Sequence, residues 1–187
     1  MKLIDWFVKG SPFDEYVQSM KVNQEELLHI YNEVSLPDEA VSLLKQGEDK
    51  GWKAVVLTAD WCGDAMLCVP IIKRLCEAAN FDMRFLIRDE SLELMDQYLT
   101  NGTSRAIPIF IFIDEQGEEK AIWGPRSQEV QDMITSLRAE LPAKDDPAFE
   151  EKQQAMYTSF RKQLATDASI WDSVVKSVTE RLRPVLS

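Results

Sequence analysis

Residues 53–59, KAVVLTA, limit most strongly what this chain can become. The run is continuous rather than alternating, so a strand built from it has two apolar faces and needs cover on both. It leads to AMLCVPIIKRLCEAAN (65–80), a long helical pattern with Pro70 in its interior, and then to a second apolar run, MRFLIR (83–88). Two buried strands joined by a long helix predict a parallel pair with a right-handed crossover. Next comes SLELMDQYLTNG (91–102), read as a helix that Gly102 ends. IPIFIFID and EKAIWG follow as an antiparallel hairpin across the turn EQGE. SQEVQDMITSLRAEL closes the series as a helix with Ser127 at its cap. Residues 53–141 therefore spell β-α-β-α-β-β-α.

The flanks are helical. Pro12 opens a helix at SPFDEYVQSM. Asn23 is expected to cap NQEELLHIYNEV, with Glu26 at the capping-box position and Leu27, Ile30, Tyr31 and Val34 on one face. Pro37 begins a third helix, PDEAVSLLKQ, ended by Gly47. Beyond Pro142 and the polar stretch AKDDP, one pattern carries Phe149, Gln153, Met156, Phe160 and Leu164. A second carries Trp171, Val174, Val175, Val178 and Leu182. The 187 residues suit a single domain. It divides into an N-terminal helical extension (1–52), an α/β core (53–141) and a C-terminal helical extension (142–187).

Charge and composition exclude several functions. A net charge of −11 argues against nucleic acid, which is bound by clustered Lys and Arg. No apolar run approaches the ~20 residues of a membrane span, and MKLIDWFVKG lacks the features of a secretory signal. Cys62, Cys68 and Cys76 are an odd set in one short segment, which points to a reducing compartment, the cytoplasm. With a single distant His29 they do not make a zinc site, so no metal and no cofactor is expected. No phosphate-binding glycine loop or Ser-His-Asp arrangement stands out.

The chemistry concentrates in TADWCGDAMLCVP (58–70). Trp61, Cys62, Gly63 and Pro70 match the offsets of the Trp-Cys-Gly-Pro-Cys motif and its helix-kinking proline, and here the chain resembles the thioredoxin-like superfamily. Ile107-Pro108, before IFIFID, is similar to that family's cis-proline, and Gly124 to the glycine flanking its substrate groove. The motif WCGDA in place of WCGPC, together with the helical flanks, resembles a bacterial thioredoxin-like branch rather than thioredoxin itself. The resemblance covers about residues 53–141. It implies an α/β thioredoxin-like fold, a four-stranded mixed sheet in the order 2-1-3-4 flanked by helices, with the terminal helices as additions. It also implies Cys62 as the catalytic residue, with Trp61, Gly63, Asp64, Ile107, Pro108 and Gly124 binding substrate.

Three departures matter. Ala65 replaces the resolving cysteine, Asp64 the motif proline, and Val56 the buried acid that serves the second thiol. The dithiol cycle is thereby lost. Cys68 lies roughly 9 Å and Cys76 roughly 21 Å along an intact helix from Cys62. A disulfide needs Cα atoms within about 7 Å, so both are expected to be small core residues.

Cys62 sits at a helix amino end, which favours a thiolate, yet Asp60 and Asp64 flank it and oppose one. Asp64 is read as a helix cap, and Arg105 or Arg126 as a possible offset to the acids. Trp61 and Trp123 are candidates to shape the groove, with core packing the default for Trp123. The leading expectation is a monothiol exchanger, in which Cys62 attacks a disulfide and an external thiol resolves it. Its partner would be a low-molecular-weight thiol or a protein thiol or disulfide. The alternatives are a non-catalytic binding module on the same scaffold and a Cys62 redox sensor. A Cys62 pKa well below the free-thiol value supports chemistry and a raised one the binding module. Terminal helices that cover the groove imply a small thiol or a regulated opening.

Overall fold

A computed structural model describes residues 1–187. Four helices lead the chain: α1 (Leu3–Lys9), α2 (Phe13–Ser19), α3 (Gln24–Glu33) and α4 (Asp38–Lys45). The core follows as β1 (Lys53–Thr58), α5 (Gly63–Ala79), β2 (Asp82–Ile87), α6 (Leu92–Met95), β3 (Ile109–Ile113), β4 (Glu119–Trp123) and α7 (Gln128–Ala139). Two long helices, α8 (Phe149–Thr166) and α9 (Ala168–Leu186), end it. This is an α/β fold with extra helices at both ends.

The sheet runs β2-β1-β3-β4, the order implied by the resemblance. β1 pairs in parallel with β2 and antiparallel with β3, and β3 pairs antiparallel with β4. Ala54 through Thr58 are all buried, as a strand apolar on both faces must be. α5 packs against α3, α4, α8 and α9, so apolar neighbours surround it and Pro70 lies buried within it. Val56 faces neither acid nor base: it is fully buried, between Phe85 and Phe110 in register. Cys68 and Cys76 are buried core residues and all three cysteines are free.

The termini close the sheet's edges. Ser11 makes a two-way backbone bridge to Phe85 on the outer side of β2, at 2.9 and 2.8 Å. On the far side Arg181 of α9 donates its Nε–H to the Ile122 carbonyl of β4 at 3.0 Å. The apolar face of α9 is buried at Trp171, Val174, Val175, Val178 and Leu182, the five positions that its periodicity marks. No helix is long and apolar enough to cross a membrane.

Several local expectations fail for identifiable reasons. The stretch 91–102 does not form one long helix: α6 stops at Met95. Arg105 draws Asp96 into an ion pair at 2.8 Å, and Thr100 and Ser104 bridge across a turn with left-handed Asn101 and Gly102. Asn23 stands at the start of α3 in a left-handed conformation, and its side chain makes no cap. Its amide instead donates to the Asp60 carbonyl at 2.9 Å, 37 residues away. Finally, α1 lies in a part of the N-terminal helical extension where no individual helix was placed, held by burial of Trp6 and Phe7.

Candidate functional site

β1 ends at Thr58, and a short turn delivers Cys62 to the N-cap position of α5 in an extended conformation. The turn is fixed from outside. Asp60 accepts a hydrogen bond from the Lys21 amide at 2.9 Å, and Thr58 shares a buried one with the Tyr16 hydroxyl at 3.0 Å. Helix α2 and the loop after it thus hold the segment that carries the thiol. Burial pushes the Tyr16 phenol up to about 12, so it acts here as a neutral hydroxyl.

Across the turn lies the loop before β3. The Ile107–Pro108 peptide is cis, as is Gly124–Pro125. Cys62 Sγ sits 3.5 Å from the Ile107 carbonyl oxygen and donates to it. Neither backbone group of Ile107 pairs with another backbone group: its carbonyl takes the Cys62 thiol, and its N–H has no backbone partner. Gly124 packs on Pro108 from the other side at φ +135°, where any Cβ would meet the Pro108 carbonyl oxygen. Only glycine suits that position. Cys62, Gly63, Asp64, Ile107, Pro108 and Gly124 therefore adjoin one another.

Trp61 stands apart and is 49% exposed. The Arg88 guanidinium lies 4.8 Å from its ring centre and donates to the Arg105 carbonyl at 3.1 Å, bracing the loop that leads to Pro108. Trp123 does not shape the groove: it is buried, and its indole N–H donates to Ser177 Oγ at 2.9 Å. Arg105 is spent on Asp96 and plays no part at the thiol.

The expected helix cap at Asp64 is absent. Its Oδ2 accepts a hydrogen bond from Arg126 Nε at 3.0 Å and lies 2.9 Å from Nη2 in an ion pair, 62 residues along the chain. The pair is largely enclosed, with 13% of the Asp64 and 19% of the Arg126 side chain exposed. Burial raises the Asp64 carboxyl above its usual range even though Arg126 pulls it down. Desolvation therefore exceeds the attraction of one guanidinium.

Burial likewise raises the Cys62 thiol, with the Asp64 carboxylate as the second cause. The amides of Ala65 and Asp64, then Arg126, act in the opposite sense without forming a cap hydrogen bond to the sulfur. Cys62 is only 9% exposed, so a reagent reaches it through a narrow opening. Cys68, wholly enclosed in α5, donates to the Pro125 carbonyl at 3.7 Å, and its thiol is raised well above normal by burial.

Helix α8 supplies what was not foreseen. Tyr157, Phe160, Arg161 and Leu164 line a cavity of about 130 Å³ with Gly63, Asp64, Arg126 and Ile134. Their spacing (157, 160, 161, 164) is that of one helical face, a signal present in the chain but without a visible partner. The terminal extension thus partly covers the start of α5. No cluster of three or more His, Cys, Asp and Glu side chains converges anywhere to hold a metal.

Comparison with known proteins adds a family and a fold. A family model described as Thioredoxin matches residues 10–138. Among solved structures, the chain is similar to an HIV epitope scaffold at 14% identity, with TM-score 0.70 over 98% of this chain and 99% of that one. It is also similar to a protein of unknown function from Pseudomonas aeruginosa, at 16% identity and TM-score 0.65, over 96% of this chain and 98% of that one. At such identities the likeness is one of fold. No curated protein matches the sequence.

Proposed function

Since the chain belongs to the thioredoxin family, we propose that it is a monothiol exchanger acting through Cys62 on a small thiol or disulfide. The observation that carries this reading is the placement of Cys62 Sγ 3.5 Å from the Ile107 carbonyl, beside Pro108 and an Ile107 N–H with no backbone partner. The thiolate of Cys62 attacks one sulfur of a disulfide R–S–S–R. That bond breaks, a Cys62–S–S–R bond forms, and RS⁻ leaves and takes a proton from solvent. With Ala65 in place of a second cysteine, a separate small thiol must attack the mixed disulfide. It releases Cys62 and departs as a new disulfide. The cover from α8 and the low exposure of Cys62 favour a small substrate over an extended protein segment. Three free cysteines fit a reducing compartment, so we place this activity in the cytoplasm.

The raised Cys62 thiol favours a second reading, a binding module in which Cys62 stays protonated and inert in the neutral range. The two readings part on reactivity against pH. Mass spectrometry after exposure to a small disulfide should find one adduct, on Cys62, lost in Cys62→Ser. Its rate should climb with pH beyond the ordinary thiol range, because the folded pKa is raised. Absence of an adduct from neutral to alkaline pH would sink exchange and leave the module.

A further inference from the structure

The charge around the α5–α8 cavity contrasts with that of the whole molecule. The chain carries a net −11, yet the cavity is lined by two guanidiniums, Arg126 and Arg161, and one carboxylate, Asp64. Asp64 is already matched by Arg126, whose Nη1 also donates to Gln131 at 3.1 Å. Arg138 adds a third positive charge nearby through its hydrogen bond to the Tyr157 hydroxyl at 3.1 Å. That bond uses the Tyr157 oxygen as acceptor and leaves its O–H proton to donate. Arg161 takes part in none of the seven ion pairs. Its Nε lies 3.8 Å from where a Cβ on Gly63 would be, one residue from the thiol. A solvent-exposed, unpaired guanidinium and a free hydroxyl proton, in a cavity that begins at Gly63, the residue after Cys62, form a receptor for negative charge.

We infer that this cavity seats the carboxylate of a small anionic thiol or disulfide, with Arg161 as its ion-pair partner and Tyr157 as a second donor. The inference rests on the exchange reading for the sulfur chemistry, and on the cavity alone for the anion. The size agrees: about 130 Å³ is a little under the ~150 Å³ that holds a benzene ring. That is room for a carboxylate and a short methylene arm, with the sulfur left outside to reach past Gly63 toward Cys62. Phe160, Leu164 and Ile134 give the arm an apolar wall. Arg161 is a positioning residue here, since it holds the substrate and touches no reacting sulfur.

The test compares dithiodipropionate, which is anionic, with bis(hydroxyethyl) disulfide, which is neutral, as reagents for Cys62. Pairing with an exposed guanidinium predicts an anionic-over-neutral rate ratio of about threefold, collapsing toward parity in Arg161→Gln and partly restored in Arg161→Lys. A parallel NMR titration of Cys62→Ser with methylthiopropionate should shift the Gly63 and Asp64 amides, and Arg161→Gln in that background should weaken the binding. Equal rates for the two disulfides would overturn the inference and leave exchange standing. Failure of both reagents with an intact Arg161-dependent titration would overturn exchange and leave the anion site. An unresponsive titration would overturn the site whatever the rates.

Discussion

Removing either member of the Asp64–Arg126 pair should have sharply unequal effects. Two unit charges 2.9 Å apart attract by about 6 kcal/mol at an effective dielectric of 20. Burial nonetheless leaves the Asp64 carboxyl above its usual range, so the ionised pair is not a net gain for the acid. Asp64→Asn removes the costly charge and keeps an oxygen for Arg126, whose guanidinium retains Gln131 as a second acceptor, and should cost about 1 kcal/mol. Arg126→Gln leaves the carboxylate enclosed without its partner. It should cost about 3 kcal/mol, at the low end for broken buried pairs because protonation offers relief. That is a fall in Tm of roughly 6–12 °C for a chain of this size.

The sign with pH follows from linkage. Asp64 holds its proton more tightly folded than unfolded, so ionisation costs the fold stability. That cost is absent below the ordinary carboxylate value of ~3.9 and complete above the raised one. The Arg126→Gln defect should therefore shrink on acidification and be suppressed by Asp64→Asn in the double variant. Urea unfolding at several pH values measures the stability, and pH-dependent alkylation measures the thiol. Asp64→Asn should lower the Cys62 pKa, and Arg126→Gln should raise it. A single Asp64→Asn as damaging as Arg126→Gln, or one that leaves the thiol unmoved, would refute the reasoning.

Gly124→Ala combines a left-handed backbone with a Cβ directed at the Pro108 carbonyl. It should lose more than about 2 kcal/mol by denaturation and slow disulfide exchange at Cys62 by displacing Pro108. At alkaline pH, Cys76, pushed up to about 12 by burial, makes folding stability fall as pH rises. Its contribution is intact below the ordinary thiol value and is lost toward the folded one. The slope should be about 1.4 kcal/mol per pH unit for that group. Cys76→Ala, less stable at neutral pH, should show a shallower alkaline decline in urea titrations.

The core was legible because its signals are local. KAVVLT needs cover on both faces wherever it sits, and α5 and α9 carry their apolar periodicity in consecutive turns. Ser127 was readable as a cap because its acceptor serves Val130, three residues on. Asp64 and Asn23 were misread for the converse reason. Each has a good local cap geometry on paper, but a distant partner takes its polar group: Arg126 from beyond β4 in one case, the Asp60 carbonyl in the other. The 91–102 stretch has helical composition, yet Arg105 pulls on Asp96 and ends the helix at Met95. Tyr157 and Arg161 acquire a partner only when tertiary packing lays α8 over the start of α5. Placement of the site residues on one turn and two loops follows the motif. Their electrostatics depend on contacts that no short window contains.

The bridge from Ser11 to β2 bears on how this molecule avoids sticking to itself. An open sheet offers a row of bare amides and carbonyls at each rim, a template on which another copy can nucleate. Ser11 occupies part of one rim with two hydrogen bonds, and Arg181 caps a carbonyl on the other. Truncation before Pro12 would free the backbone N–H and carbonyl of Phe85 in the middle of β2 and turn that rim into a seed for fibrous assembly. The leading segment thus serves as a guard for the sheet, and its loss would show first as aggregation rather than as lost thiol chemistry.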